Sequence, residues 1–213
     1  MPILYIGNKN YSSWSFRPWL GMTVSGIAFE ERLVPFNANA KNPDFAKFSP
    51  TSQVPALVDG DETIWQSLAI LDHMARKNPQ NGLWPDSDKD RSHAMAISCE
   101  MLSSFFALRG ACPMNMRRAR AGISMTPEIA ADVSRVETIW STCLQASGGP
   151  FLFGSFSLAD AMFAPVVNRL DVYDLPVSDD TRAYMATIKA LPSWQDWEAA
   201  GKAETWIVDA DEA

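Results

Sequence analysis

Three serines lie close together in the segment YSSWSFRPW at residues 11–19, between a short apolar segment and a stretch of helical pattern. Serine is a preferred N-cap, so each of them could simply start the helix. A hydroxyl beside the free N–H groups of a helix start can also stabilise an anion, and a thiolate is such an anion. Ser12 and Ser13 are the candidates for this chemistry, because ligands of open α/β sheets bind near strand ends.

A proline follows Val54 in the segment SQVPAL at residues 52–57. Proline at the start of a strand commonly ends the ladder of backbone hydrogen bonds. A cis bond between Val54 and Pro55 would instead turn the backbone outward, so that the N–H and C=O of Val54 could pair with an extended ligand. The sequence leaves both interpretations open.

A polar pair, Gln66 and Ser67, opens the helical pattern WQSLAI at residues 65–70. Ser67 could be a plain helix cap. Together, the amide, the hydroxyl and the free backbone N–H groups at this helix start also suit a carboxylate, because helix N-termini attract anions. This segment is therefore a second candidate for ligand binding.

A basic cluster surrounds the segment CPMNMRR at residues 112–118. It consists of Arg109, Arg117, Arg118 and Arg120. We expect a solvated helix face; the alternative is a pocket wall that attracts an acidic ligand, with Met114 and Met116 supplying adaptable apolar contacts. Cys112 is expected to be a small buried residue; the alternative is a reactive thiol whose pKa the arginines lower. Arg17, nearer the serines, is expected to be solvated; the alternative is support of an acidic ligand group.

Composition restricts the class of protein. Of the 213 residues, 47% are apolar and 20% are charged, which is enough apolar content for a substantial core. The formal net charge of −7 argues against a general nucleic-acid binder. No apolar run approaches the roughly 20 residues that span a bilayer, and the first residues do not resemble a signal peptide. Three widely spaced cysteines and two isolated histidines form no metal or redox motif, and they favour the reducing cytoplasm.

The first 80 residues alternate between strand and helix patterns. Strands are predicted at 2–6, 29–34, 55–59 and 62–65, helices at 15–25 and 67–77, and a helical turn at 43–48. Gly26 is a predicted C-cap, and Gly60 and Asp61 form a predicted hairpin turn. This order indicates a small mixed sheet with helices packed against it.

The second part of the chain is predicted to be helical. A polar stretch with two prolines and a glycine starts at residue 78, and we place a linker at 81–92, between domains at 1–80 and 93–213. Helical spacing of apolar residues covers 90–109, 128–146, 157–171 and 179–190, and Pro192 opens a last short helix. The acidic tail at 209–213 is expected to fray.

The order of these motifs resembles the glutathione S-transferases. A βαβαββα module with a serine-rich turn, then QVPAL and QSLAI, is similar to their thioredoxin-like N-terminal domain, and the helical part is similar to their C-terminal domain. The segment FLFGSFSLADAMFAP at 151–165 resembles the family's capping box, with Ser157 and Asp160 at S-x-x-D spacing, so we expect it to be structural. Pro165 is expected to kink that helix. The resemblance implies an α/β thioredoxin-like domain followed by an all-α domain.

The resemblance also implies roles for the candidates. SSWSFR is similar to the serine motif of the zeta class, in which the first serine activates glutathione, so Ser12 is implied as the catalytic residue and Ser13 as the alternative. The implied glutathione-binding residues are Lys41, Gln53, Val54, Pro55, Gln66 and Ser67. The implied electrophile pocket includes Tyr11, Trp14, Arg109 and Met114, and Tyr11 is a minor alternative for activating the thiol.

The implied activity is conjugation of glutathione, as co-substrate, to a small electrophile, with no metal and no tightly bound cofactor. Trp14 stands where zeta enzymes have a cysteine, which weakens the analogy to maleylacetoacetate isomerisation; YSSWSFRPW and CPMNMRR instead resemble a bacterial branch of the family. That isomerisation, peroxide reduction, and non-catalytic glutathione binding on the same fold are the alternatives. The resemblance also implies a homodimer, without a nucleic-acid or membrane partner.

Overall fold

Four short strands form the sheet of the first part of the chain, in a computed structural model that describes residues 1–37 and 41–212. They are β1 (Ile3–Ile6), β2 (Glu30–Leu33), β3 (Ala56–Asp59) and β4 (Glu62–Trp65), in the spatial order β2-β1-β3-β4. β1 is parallel to β2 and antiparallel to β3, and β3 and β4 form an antiparallel hairpin. The predicted mixed sheet is confirmed.

Helices α1 (Ser13–Val24) and α2 (Ser67–Lys77) accompany the sheet, with a 3-10 helix at Pro43–Lys47. α1 starts two residues earlier than predicted because Ser12 is its N-cap, with a hydroxyl that accepts a hydrogen bond from the N–H of Ser15 at 3.3 Å. α1 ends before Gly26, whose φ of 67° suits a residue without a Cβ. The bounds of α2 agree with the prediction.

The second part of the described chain contains six α-helices. They are α3 (Asp88–Ser103), α4 (Phe106–Ala111), α5 (Pro127–Ser147), α6 (Leu158–Val172), α7 (Asp179–Lys189) and α8 (Pro192–Ala203). The prediction of a single helix over 90–109 is wrong. The chain is extended at Ser104, and Phe105 has a φ of 61°, so α4 begins separately. The carboxylate of Asp132 accepts from the N–H of Leu108 at 3.0 Å and so caps the first turn of α4.

α6 is buried along nearly its whole length and packs against α1, α2 and α3. Residues of the predicted linker take part in this core: Leu83 and Trp84 are buried, and the C=O of Leu83 accepts from the N–H of Leu158 at 2.8 Å. The two parts of the chain therefore meet along α1 and α6.

The predicted capping box at the start of α6 is present. One carboxylate oxygen of Asp160 accepts from the N–H of Ser157 at 2.8 Å and from its hydroxyl at 3.0 Å. The other accepts from the N–H of Leu152 and the hydroxyl of Tyr184, both at 3.0 Å. Burial raises the pKa of Asp160, and these hydrogen bonds oppose that rise. α6 continues past Pro165, so the proline does not end the helix.

The acidic tail is docked rather than frayed. Residues Asp209–Asp211 form a 3-10 turn, and the side chain of Asn115 donates to the C=O of Asp211 at 3.2 Å. Glu212 forms an ion pair with Arg117 at 3.2 Å. The expectation was wrong because it considered the tail alone, without Asn115 and Arg117, which bind it. Residue 213 lies outside the described residues.

Candidate active site

The loop between β1 and α1, which carries the candidate serines, is fixed by the end of α8. The carboxylate of Glu204 accepts from the N–H groups of Lys9 at 2.7 Å and Asn10 at 3.1 Å. Gly201 lies so close that a Cβ there would be 3.1 Å from the nitrogen of Asn10. These contacts hold the serines in place without using their hydroxyls.

The two candidate serines differ in their hydrogen bonds. The hydroxyl of Ser12 donates to Oγ of Ser15 at 2.8 Å and also caps α1, so its hydrogen is already used within the helix start. Oγ of Ser13 accepts from Nη2 of Arg169 at 3.4 Å. Within residues 1–37 and 41–212, no acceptor takes the hydroxyl hydrogen of Ser13. Ser13 therefore has a donor to offer to a ligand.

A proline inside α1 explains what Ser67 does. Pro18 has no N–H, so the C=O of Trp14, four residues earlier, lacks its helical partner. The hydroxyl of Ser67 donates to this C=O at 2.7 Å and thereby joins the start of α2 to the start of α1. Ser67 is the first residue of α2 rather than its cap, which is Gln66.

The peptide bond between Val54 and Pro55 is cis, as the second interpretation of that segment requires. The pairing of β1 with β3 runs from Ala56 to Val58 and leaves Val54 outside it. In the described part of the chain, the backbone of Val54 has no strand partner and borders the cleft described below.

Gln66 has a backbone conformation that residues other than glycine rarely adopt, with φ 71° and ψ 127°. Such a conformation costs about 1–3 kcal/mol and is found mainly at functional sites. The exposed side chain of Gln66 lies on the cleft, at the N-terminus of α2. No sequence signal predicted this conformation.

These elements surround a cleft of about 1620 Å³ between the two parts of the chain. All twelve candidates from the sequence line it: Tyr11, Ser12, Ser13, Trp14, Lys41, Gln53, Val54, Pro55, Gln66, Ser67, Arg109 and Met114. Arg169 and Asp211, which the sequence analysis did not identify, line it as well. The structure brings the candidates together, and their roles remain predictions.

Two arginines enclose the ring of Trp14. The guanidinium of Arg17 lies 4.3 Å from the ring centre, and that of Arg109 lies 4.8 Å from it. Arg17 is 1% exposed, so the expectation of a solvated side chain is wrong. Its guanidinium donates to the C=O of Ser13 at 3.1 Å and to a C=O of α6, which replace water. Burial, and then the charges of Arg169 and Arg109, lower the pKa of Arg17 well below its usual range.

The expectation that the basic cluster forms a solvated helix face is also wrong. Arg109 lies in α4 on the cleft, and burial lowers its pKa. The segment that follows α4 is not helical, so its arginines point in different directions. Arg118 lies 4.3 Å from the ring centre of Tyr173, and Arg120 forms a surface ion pair with Asp174 at 2.5 Å. Arg109 is therefore the member of the cluster that belongs to the candidate site.

The hydroxyl of Tyr11 is part of a network with the tail. It accepts from Nη2 of Arg117 at 2.5 Å and donates to the carboxylate of Glu212. Burial, followed by the hydrogen bond to Glu212, raises the pKa of Tyr11. A hydroxyl engaged in this way is not free to donate to a thiolate, which disfavours Tyr11 as the activating group.

Arg169 is the main feature of the site that the sequence analysis missed. It projects from α6 beneath Ser13 and is 6% exposed. The available signal was an arginine in the last turn of a helix that is otherwise mostly apolar. Cys112, in contrast, is buried as expected, and burial raises the pKa of its thiol to about 11, so it is a poor nucleophile at neutral pH.

Among the described residues, no three His, Cys, Asp or Glu side chains are arranged to hold a metal ion. None of the helices in this part of the chain combines the length and hydropathy needed to cross a bilayer.

Comparison with known proteins agrees with this architecture. Models of the glutathione S-transferase N-terminal and C-terminal domains match residues 11–77 and 125–200. A glutathione S-transferase of Triticum aestivum is 35% identical over 109 residues, which is 51% of this chain and about half (49%) of that protein. A maleylacetoacetate isomerase of Rattus norvegicus is 27% identical, over 83% of this chain and 82% of that protein. A glutathione transferase homologue from Burkholderia with bound glutathione has the same fold, with a TM-score of 0.74 at 20% identity over 95% of this chain and 99% of that one. With both of its domain types matched in order, the chain belongs to the glutathione S-transferase family.

Proposed function

We propose that the protein joins glutathione to small electrophiles and that Ser13, rather than Ser12, activates the thiol. The observation that carries this proposal is the free hydroxyl hydrogen of Ser13 at the cleft, whereas Ser12 donates to Ser15. A hydroxyl that donates to sulfur stabilises the thiolate, which is the nucleophile, and lowers the thiol pKa from about 8.5. The zeta-like motif implied the first serine, and the hydrogen bonds favour the second.

The cleft suits an extended tripeptide. The cysteinyl N–H and C=O of glutathione would pair with the backbone of Val54, as one strand pairs with another. The γ-glutamyl carboxylate would bind Gln66 and the N-terminus of α2, where the helix dipole favours an anion. Lys41 and Gln53, also on the cleft, would hold the glycyl end. This placement directs the thiol toward Ser13.

The chemistry needs only the two substrates and solvent. The thiol proton goes to solvent, and the thiolate forms a C–S bond with an electrophilic carbon. A leaving group then departs with the bonding electrons, or, in a conjugate addition, the resulting carbanion takes a proton from solvent. The protein holds the two reactants together, with Trp14, Arg109 and Met114 as the wall on the electrophile side.

Adduct formation tests this function. The purified protein is incubated with glutathione and a panel that includes an activated aryl halide and an α,β-unsaturated carbonyl compound, and adducts are measured by mass spectrometry. We expect adduct formation faster than in buffer, with loss of one thiol per adduct. S-methylglutathione, which has no thiol, is the matched control and should give none. Glutathione binding without adduct from any member of the panel would favour a non-catalytic binding protein.

Gln66→Gly is expected to raise stability and to weaken glutathione binding. Glycine relieves about 1–3 kcal/mol of strain and costs about 0.5–1 kcal/mol in chain entropy, so the free energy of unfolding should rise by about 1 kcal/mol. Loss of the amide should weaken binding about tenfold. Gln66→Ala is the control: it loses the same affinity but keeps the strain. Denaturant unfolding and calorimetry check both effects, and unchanged affinity in the two variants would show that the amide does not bind glutathione.

The second candidate is cis–trans isomerisation with glutathione as a returning nucleophile. The similarity to the rat maleylacetoacetate isomerase over most of both chains favours it. The two reactions differ in their thiol balance: conjugation consumes glutathione, whereas isomerisation recovers it. Product formation with an unchanged thiol concentration would therefore assign the isomerase.

We also infer that the protein works in the cytoplasm as a homodimer. Its three cysteines are free, which suits a reducing compartment. The homodimer rests on the family resemblance. Sedimentation equilibrium should give twice the chain mass of 23.6 kDa, and a mass of one chain would contradict the dimer.

A further inference from the structure

Arg169 is a buried cation directly behind Ser13. Its Nη1 donates to the C=O of Arg109 at 3.0 Å and to the C=O of Cys112, and its Nη2 reaches Oγ of Ser13 at 3.4 Å. Its Nε is buried and has no hydrogen-bond partner in the described part of the chain. The guanidinium is therefore fixed by two backbone groups and presents one donor to the hydroxyl at the cleft.

The positive charge of the arginines around Ser13 is not balanced by an ion pair. Among residues 1–37 and 41–212, no carboxylate lies within 4.0 Å of the guanidinium nitrogens of Arg17, Arg109 or Arg169. The acidic group that interacts with Arg169 at longer range is Asp211 of the tail. Burying cations without a partner is costly, which suggests that an anion is bound there during function.

The other titratable groups near Arg169 do not supply that anion. Burial raises the pKa of Cys112 to about 11 and that of Tyr173 to about 12, so both are neutral at neutral pH. Burial, and then the charge of Arg109, lower the pKa of Arg169 to about 10, so it stays charged. The site therefore keeps its positive charge under the conditions in which a thiolate would form.

We propose that Arg169 is a positioning residue for thiol activation: its guanidinium binds the oxygen of Ser13, so that the hydroxyl hydrogen points to the sulfur, and its charge stabilises the thiolate. Arg17 donates to the backbone C=O of Ser13, and Arg109 lies against the ring of Trp14. Neither donates to the hydroxyl of Ser13. A hydroxyl that accepts from a cation is also a stronger donor, because hydrogen bonds in a chain polarise one another. This inference rests on the proposed function.

The test is a spectroscopic titration of the thiolate of bound glutathione in three variants of the full chain. Arg169→Met should raise the pKa of the bound thiol by about 1–2 units, and Arg169→Lys, which keeps the charge, by less. Asp211→Asn removes the opposing charge and should lower that pKa by about half a unit. Asp179→Asn, which makes the same charge change at the exposed start of α7, is the matched control and should have no effect. Thermal unfolding checks that each variant is folded.

The two Arg169 variants separate a role in thiol activation from a structural one. If Arg169 only supported the fold, folded Arg169→Met would leave the thiol pKa unchanged, and this result would overturn the inference. If Arg169→Met failed to fold, a thiol pKa in Arg169→Lys equal to that of the wild type would overturn it as well; the Asp211→Asn shift alone does not decide, since Asp211 itself lines the cleft. In both cases the wild-type protein would still ionise glutathione. A wild-type protein that did not bind glutathione would instead overturn the proposed function.

Discussion

Ser13→Ala is expected to lower kcat/KM for glutathione conjugation about 100-fold at neutral pH, because a donor aimed at a reacting anion in a site shielded from water is worth about 3 kcal/mol. The loss should shrink as the pH rises and free glutathione ionises in solution. The variant should remain folded, because no hydrogen bond donated by Ser13's hydroxyl is lost within the described residues. Initial rates over a range of pH check this expectation.

Ser12→Ala is the matched control for Ser13→Ala. It removes the N-cap of α1 and the hydrogen bond to Ser15, so the free energy of unfolding should fall by about 1 kcal/mol. Its effect on kcat/KM should be smaller than that of Ser13→Ala. The reverse order, with Ser12→Ala the more damaging to kcat/KM in a folded protein, would assign activation to Ser12.

Asp160→Ala is expected to lower the free energy of unfolding by about 3–5 kcal/mol. The carboxylate accepts four hydrogen bonds in the core, from the N–H of Leu152, the N–H and hydroxyl of Ser157, and the hydroxyl of Tyr184. After the substitution all four donors are buried without a partner. The start of α6 and the packing of α7 against it both depend on these bonds, so the loss should be large.

The control for Asp160→Ala is Ser87→Ala, which removes a helix cap at the protein surface. The hydroxyl of Ser87 accepts from the N–H of Asp90 at 3.0 Å at the exposed start of α3, and Ser87→Ala should cost about 1 kcal/mol. Asp160→Asn keeps one acceptor oxygen and should lie between the two. Denaturant unfolding measures all three, and a loss in Asp160→Ala no larger than that in Ser87→Ala would contradict the account.

Structural features that depend on residues close together in the sequence were predictable from it. Hydrophobic periodicity located α2 and the helices of the second part, except that it joined α3 and α4 into one helix, and the S-x-x-D spacing located the capping box of Ser157 and Asp160. Each of these depends on residues a few positions apart. Ser12, Ser13, Gln66 and Ser67 were found in the same way, because a strand end followed by a helix start places polar groups at one edge of the sheet. Lys41 and Gln53 were candidates only through the family resemblance.

Structural features that depend on contacts between residues far apart in the sequence were not predictable from it. Arg17 is buried because a C=O of α6, that of Met162, accepts a hydrogen bond from it, and the tail is ordered because Arg117 and Asn115 bind it. The break between α3 and α4 depends on Asp132, which lies more than twenty residues further along the chain. Arg169 becomes a site residue only when α6 packs against α1. Local patterns contain none of these contacts.

The measurement that tests the central claim most directly is calorimetric titration of the wild-type protein with glutathione in two buffers of different ionisation enthalpy. The proposed thiol activation at Ser13 predicts binding at one site per chain with release of about one proton at neutral pH, since free glutathione is mostly protonated there. S-methylglutathione should bind without proton release. Glutathione binding with no proton release, or no binding at all, would contradict the claim that this site ionises the thiol.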